Sequence, residues 1–469
     1  TTEIYTLSLH DALPIYQTTV QAGGTLAAFG TFLANHRRTI QTIQWGMVVL
    51  YLGLLVWPVF LPLPDDYATF RSDMVLFAQF VFWGVWWPFV MVSMVLFGRL
   101  WCGVFCPEGA LTEWASRRGL GLPIPKWIRW PGWPFVAFVS TTVYGQMVTV
   151  YEYPKAALLV LGGSTVAAIA IGLLFGRGKR VWCRYLCPAN GVFSLLSRVA
   201  PLHFQVDPEA WRNHPRTPAV DCPTLVDVRQ MKGNGACHMC GRCSGHRGAV
   251  HLASRSVNAE IPRLPPREIS SWDAALILFG VLGVATGAFQ WSSSPWFVWL
   301  KAKIAGALIG AGWPQLLSAS LPWWILTNYP DTGEVFSVLD GIALLAYILG
   351  TAALIGLAFA GALKLAGLVA GRATSVARLA YCFVPLGGIG LFLGLSTITL
   401  GALRAEGWIF PGIPTIRAGL LTASVLWSAW LLWCALPTGS PKRKLAAWGM
   451  ALAGCAPYTF MWISFFFVW

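Results

Sequence analysis

The sequence predicts an all-α polytopic membrane protein of about nine transmembrane helices, interrupted by one small polar insertion. Three observations predict it. Hydrophobic residues make up 56% of the 469 positions and charged residues only 11%, a balance no soluble domain of this length shows. Nine runs without a charged residue, 39–64, 74–98, 130–151, 156–176, 274–300, 341–363, 379–403, 418–441 and 445–469, each reach the roughly 20 apolar residues that cross a bilayer. Between the fourth and fifth of them, residues 201–270 turn polar and carry a dense group of cysteines.

The chain divides into a tail, 1–38, a membrane segment, 39–200, the polar insertion, 201–270, and a second membrane segment, 271–469. The first sixteen residues, "TTEIYTLSLHDALPIY", lack the charged and small-residue pattern of a signal peptide and read as a translated adapter fragment. A tenth uncharged run, 304–330, carries Gly306, Gly310, Gly312, Pro314 and Pro322 and ends near Trp323 and Trp324, so it reads as interfacial or re-entrant.

Charge sets the orientation. Arg37 and Arg38; Arg99, Arg117, Arg118, Lys126 and Arg129; Arg177, Lys179, Arg180, Arg184 and Arg198; Lys364, Arg372 and Arg378; and Lys442, Arg443 and Lys444 fall on alternate loops. The remaining loops are acidic or nearly neutral, holding Asp65 and Asp66, Glu152 and Lys155, Asp331 and Glu334, and Arg404 and Glu406. The positive-inside rule then puts the N-terminus and the insertion in the cytoplasm and the C-terminus in the periplasm of a bacterial inner membrane. The net charge of +14 needs no nucleic acid to explain it; membrane lipid is the partner it implies.

The first membrane segment is a duplication. "GRLWCGVFCPEGALTEW" at 98–114 returns as "KRVWCRYLCPANGVFSL" at 179–195, and Cys102 to Cys183, like Cys106 to Cys187, is 81 residues (183−102 and 187−106). Each copy reads span, loop, span and Arg-x-Trp-Cys-x3-Cys-Pro. Two crossings separate the copies, so both turns emerge on one face, where four thiolates can converge. A reducing compartment disfavours disulfides there. Four thiolates suit an iron–sulfur cluster, zinc or Cu(I); inert cysteines packing two helix ends are the plainer alternative. Cys382, Cys434 and Cys455 lie in spans and read as small apolar residues.

The insertion contains "DCPTLVDVRQMKGNGACHMCGRCSGHRGAV". Cys237, Cys240 and Cys243 have the Cys-x2-Cys-x2-Cys spacing of a bacterial ferredoxin, but position 247, where a fourth cysteine would stand, is Arg. Cys222, followed by Pro223, stands fifteen residues upstream of Cys237. In two-cluster ferredoxins the fourth cysteine of one motif ligates the other motif's cluster. By that rule Cys222, Cys237, Cys240 and Cys243 form one complete [4Fe-4S] ligand set, with zinc as the alternative occupant. His238 and His246 are the nearby residues able to replace a ligand.

With these motifs in order, residues of about 40–265 resemble the membrane 4Fe-4S polyferredoxin family of the NosR/NapH/CcoG type. The resemblance implies a membrane-bound iron–sulfur electron-transfer protein, an oxidoreductase component passing electrons between a quinol or a cytoplasmic donor and a membrane or periplasmic respiratory partner. It carries the cluster ligands onto Cys222, Cys237, Cys240 and Cys243 and the paired turns onto Cys102, Cys106, Cys183 and Cys187. A second cluster, or copper, is the expectation at the turns. The alternatives are a copper-reducing assembly factor for a respiratory enzyme and a redox-sensing transporter. The family usually carries two ferredoxin clusters where this insertion retains ligands for one.

The second membrane segment lies outside the resemblance. It has no histidine, the last being His251, which excludes a bis-histidine haem within it. Asp273 and Asp340 open two of its spans and read as interfacial residues, and Gln79 and Gln146 in the first segment are the candidate polar contacts for a quinone.

Overall fold

A computed structural model describes residues 24–469 apart from 66, 215–216, 219, 372–373 and 438–439; the adapter-like first sixteen residues, Asp66 and Arg372 lie outside the described residues. In lipid every backbone polar group must be satisfied within the protein, and the apolar runs accordingly become helices. Among the described residues seven helices are long and apolar enough to cross a membrane: Arg37–Phe60, Met74–Phe97, Pro154–Phe175, Ser271–Ser293, Val338–Ala370, Val376–Ala405 and Ile413–Ala435. A further apolar pair, Pro441–Ala453 and Ala456–Phe467, is bent by 41°, as a broken span or a re-entrant hairpin, with Pro457 at the start of the second helix; as one span it brings the number to eight. The chain is an all-α polytopic membrane protein.

The expected third span is shorter than its apolar run. Run 130–151 folds as Trp133–Met147, 15 residues, because Gly132 and Pro134 delay its start and Thr149, at φ 48°, turns the chain after Val148. At 1.5 Å per residue such a helix rises about 22 Å, against about 30 Å of hydrocarbon. It nevertheless serves as the return arm between the two cysteine turns, which meet on one face. The fifth span also ends early, at Ser293, and Pro295 opens a separate helix, Pro295–Gly310. Run 304–330 is broken at Gly312 (φ 81°) and Pro314, and no described helix within it crosses.

The insertion is built on two antiparallel strands, β1 (Leu202–Val206) and β2 (Val250–Ser254), with Val206 opposite Val250 and Leu202 opposite Ser254. Phe204, Val250 and Leu252 face inward with Met239 and Val228, and Cys222, Cys237 and Cys243 pack against this small core. The second membrane segment holds the insertion in place. Arg378 donates to Pro262 O at 2.7 Å and Leu264 O at 3.0 Å, and Trp427 Nε1 donates to Asn258 at 2.6 Å; from the first segment, the buried Arg198 pairs with Glu260 at 2.8 Å. One large apolar core joins the two membrane segments, with Leu196, Leu276, Ile348, Phe359 and Phe383 all buried in it. Its helices approach closely through small residues: a Cβ at Gly283 would lie 2.6 Å from Ala352 Cα.

Candidate metal centre

The repeat at sequence level is a repeat of hydrogen bonds. In the first copy Leu100–Val104 forms one helical turn, and the N–H groups of Phe105 and Cys106 both donate to Trp101 O at 2.9 Å. In the second copy Val181–Tyr185 does the same, with Leu186 and Cys187 donating to Trp182 O at 2.9 and 3.0 Å. The proline that follows each second cysteine has no N–H to lose as the chain redirects. The closing residues Phe105 and Leu186 share the same backbone angles, φ −114° and −115° with ψ −21°.

The two turns come together on one face of the bundle. Arg180 Nη1, from the second, donates to Cys102 O in the first at 2.8 Å, and Arg99 Nη2, from the first, donates to Asn190 Oδ1 behind the second at 2.6 Å. Cys106 and Cys187 border one cavity. Burial pushes the Cys106 thiol well above its ordinary value, and the charges of Cys102 and Cys183 push it further. Burial raises Cys187 too, helped by Glu108, Cys183, Cys106 and Cys102; Cys183 is pushed up to about 12. Cys106, Cys183 and Cys187, raised in this way, would deprotonate together only around a compensating cationic core. Cys106 Sγ also accepts from Gly109 N–H at 3.4 Å, the kind of bond that tunes a metal-bound sulfur.

Cys222, Cys237, Cys240 and Cys243 form the second group. Cys237 is pushed up to about 12 by burial, with Cys240 and Cys222 adding to the effect and the Met239 N–H donating to its sulfur at 3.4 Å. Burial raises Cys243 in the same way, with Cys237, Cys240 and Cys222 as neighbours. The loop reaches this shape through left-handed backbone at Met239 (φ 51°) and Gly241 (φ 74°), an unfavourable conformation for methionine that the surrounding packing enforces. His238 is buried, and its backbone packs on the first turn; His246 lies against Trp211 with ring centroids 5.2 Å apart and the planes tilted by 54°.

The two groups touch. A Cβ at Gly103, next to Cys102, would lie 2.8 Å from Cys240 N and 2.9 Å from its Cα, so one layer of backbone separates the turns from the insertion's loop. Arg99 Nη1 donates to Gly235 O at 2.7 Å, and the Arg180 N–H donates to Pro223 O at 2.7 Å. Each repeat's arginine therefore ties its turn to one end of the insertion's cysteine set. Arg99 and Arg180 are 2% and 1% exposed. Both were counted above among the loop charges that set orientation, yet they lie inside the protein beside the thiols rather than at the lipid headgroups.

Sequence reasoning missed the hub that holds Arg180. Glu113 is buried and accepts from Arg180 Nε and Arg117 Nη2 at 2.8 Å each and from Arg242 of the insertion. Burial works against its charge, but Arg180 and Arg242 overcome it and hold the carboxyl at about 2. Glu108 accepts from Ser164 at 2.7 Å and Trp182 Nε1 at 3.2 Å, and burial raises its carboxyl against those bonds. The conserved 81-residue spacing of Arg99 and Arg180 was the available signal; nothing local marked Glu113. Gln79 and Gln146 bind neighbouring elements, Gln79 at Glu152 O and Gln146 at Trp291 Nε1, 2.8 Å. Asp340 caps its helix through Ser337 and pairs with Lys301, as an interfacial residue would; Asp273 accepts from Tyr381 at 2.7 Å.

Comparison with known families matches the 4Fe-4S binding domain at residues 79–131 and again at 158–206, one match over each helix and its cysteine turn. The fold and this duplicated module define an iron–sulfur-binding membrane protein. The chain is also similar to the putative electron transport protein YccM of Escherichia coli (strain K12), 21% identical over 238 residues. That similarity covers 44% of this chain and 65% of the relative, just under two thirds of its length. No solved structure matches.

Proposed function

We propose that the protein transfers electrons in the membrane through two adjacent iron–sulfur clusters, one held by Cys102, Cys106, Cys183 and Cys187, the other by Cys222, Cys237, Cys240 and Cys243. The observation that carries the reading is the close approach of Gly103, beside Cys102, to the backbone of Cys240, which brings the first turn against the insertion's cysteine loop. Similarity to an electron transport protein supports the same reading. When bound, such clusters take up and release single electrons at potentials set by their surroundings. The chain's own part is to bury the thiols, donate N–H groups to their sulfurs and place Arg99 and Arg180 against the net negative charge of a thiolate-bound cluster.

Among the described residues no three His, Cys, Asp or Glu side chains close on a single ion. The electron route runs between a quinol or cytoplasmic donor and a respiratory partner. The cysteine face is cytoplasmic in this reading, since Arg37, Arg117, Arg118, Lys126 and Arg177 gather around it. The test is anaerobic iron and sulfide analysis of the wild type and of a Cys102→Ala/Cys183→Ala variant. About eight irons falling to about four supports both clusters. About four irons in each would remove the cluster from the turns.

A further inference from the structure

A cavity of about 420 Å³ lies on the cysteine face, between the insertion and the starts of the helices Trp133–Met147 and Ser271–Ser293. Arg99, Arg129, Arg184, Arg198 and Lys232 line it, positive charges brought together from both cysteine turns, the loop before Trp133, the end of the first membrane segment and the insertion. Its carboxylates are Asp227, Glu268 and Asp273. Glu268 pairs with Arg198 at 3.5 Å, Asp273 accepts from Tyr381 and Asp227 accepts from the Arg229 N–H at 3.1 Å. Among the described residues Arg99, Arg129, Arg184 and Lys232 belong to no ion pair.

The guanidinium of Arg99 is fixed at the wall, since Gly235 and Asn190, which accept from its two Nη groups, both line the cavity. Arg99 and Arg198 also each keep a buried Nε–H without an acceptor. Gathering like charges is unfavourable, and a buried donor left unpaired adds to the cost, unless an anion sits among them. The mouth is open at the level of the lipid headgroups. Arg129, Trp130 and Lys232 are exposed there, and Trp130 meets Trp133 and Trp272 edge-on with ring centroids 5.8 and 4.9 Å apart, an indole cluster of the kind found at a membrane boundary. A phosphate fits such a place, because its oxygens accept paired bonds from planar guanidinium groups and basic pockets between membrane helices hold phospholipid headgroups. We propose that this cavity is a phosphate-binding site, with Arg129, Arg184 and Lys232 as the cations that hold the group, carried on an anionic lipid or as a soluble ion. It is a defined site, apart from the diffuse attraction between a basic face and anionic lipid, and it stands whether or not the cysteines hold clusters.

The test uses the full chain, stripped of lipid in detergent and kept in phosphate-free buffer. It is titrated separately with radiolabelled short-chain phosphatidylglycerol and with radiolabelled inorganic phosphate, above the baseline of protein-free micelles. The wild type should saturate at one bound molecule per chain. Saturation by the lipid alone makes the ligand a headgroup, and saturation by inorganic phosphate makes it a soluble ion. Arg184→Ala and Arg129→Ala should each weaken binding about tenfold or more, the low end for hydrogen bonds to a charged group, with thermal melting unchanged. Lys126→Ala removes an equal charge from the loop that carries Arg129, but from outside the cavity lining, and should bind as the wild type does. No saturable uptake of either probe, or equal weakening by Lys126→Ala and the two cavity variants, would overturn the proposal.

Discussion

The two cysteine turns share a backbone and differ in almost everything around it. Position by position, 81 residues apart, Arg99 answers Arg180, Trp101 answers Trp182 and Pro107 answers Pro188, and both turns close with the same hydrogen bonds. Yet Gly103 is matched by Arg184, Glu108 by Ala189 and Glu113 by Ser194. The first turn is pressed against the insertion and is followed by both carboxylates; the second supplies Arg180, the cation that Glu113 holds. The difference teaches that duplication provides the four thiols, while divergence between the copies decides what each turn touches.

The largest effect should separate the two arginines. Arg180 neutralises buried Glu113, whereas Arg99 donates to the neutral groups Gly235 O and Asn190 Oδ1. Arg180→Met leaves the buried Glu113 with Arg117 and Arg242 alone, removes the donor to Cys102 O, and should cost about 3 kcal/mol, read as a loss of folded, iron-containing protein. Arg99→Met should cost about 1.5–3 kcal/mol. Equal losses would break the comparison.

A smaller effect separates Gly103 from Arg184. A methyl at 103 meets the backbone of His238 and Cys240, which cannot move aside as a flexible side-chain end would. Gly103→Ala should destabilise by up to about 3 kcal/mol and lower iron retention in the insertion first. Arg184→Ala, at the matching position, should stay within about 0.5 kcal/mol by thermal melting.

The smallest effect belongs to Glu113 and is a pH dependence. Its carboxyl is held at about 2 in the folded protein against an ordinary 4.5. A depressed value means that its stabilisation is whole above about 4.5 and drains away as pH falls toward 2. From about pH 6 to about pH 3 the wild type should lose about 2 kcal/mol more than Glu113→Gln, measured by thermal melting of the solubilised protein. Parallel pH profiles would remove Glu113 from its role as hub.

Much of this was legible in the sequence because it is carried by spacing. The apolar runs located most of the helices, and the 81-residue repeat marked the two cysteine turns that meet on one face. Helix ends were less legible where a proline or a turn cuts an apolar run, as at Trp133–Met147 and at Pro295, since hydropathy does not register a change of direction. The contacts between the groups were not legible at all. Arg180 and Glu113 are 67 positions apart, Arg99 and Gly235 are 136 apart, and only the meeting of the two turns brings such residues together. The cationic cavity escaped for the same reason: Arg129 and Arg184 read as orientation charges until the fold brings them to one space with Lys232.

The central claim is that two clusters sit next to one another across Gly103 and Cys240. The most direct measurement is EPR of the anaerobically reduced protein beside Cys222→Ser and Cys183→Ser variants. The account predicts two reduced-cluster signals in the wild type, each broadened by magnetic interaction with the other, and a single sharpened signal in either variant. A single unbroadened signal in the wild type, unchanged by Cys183→Ser, would contradict it.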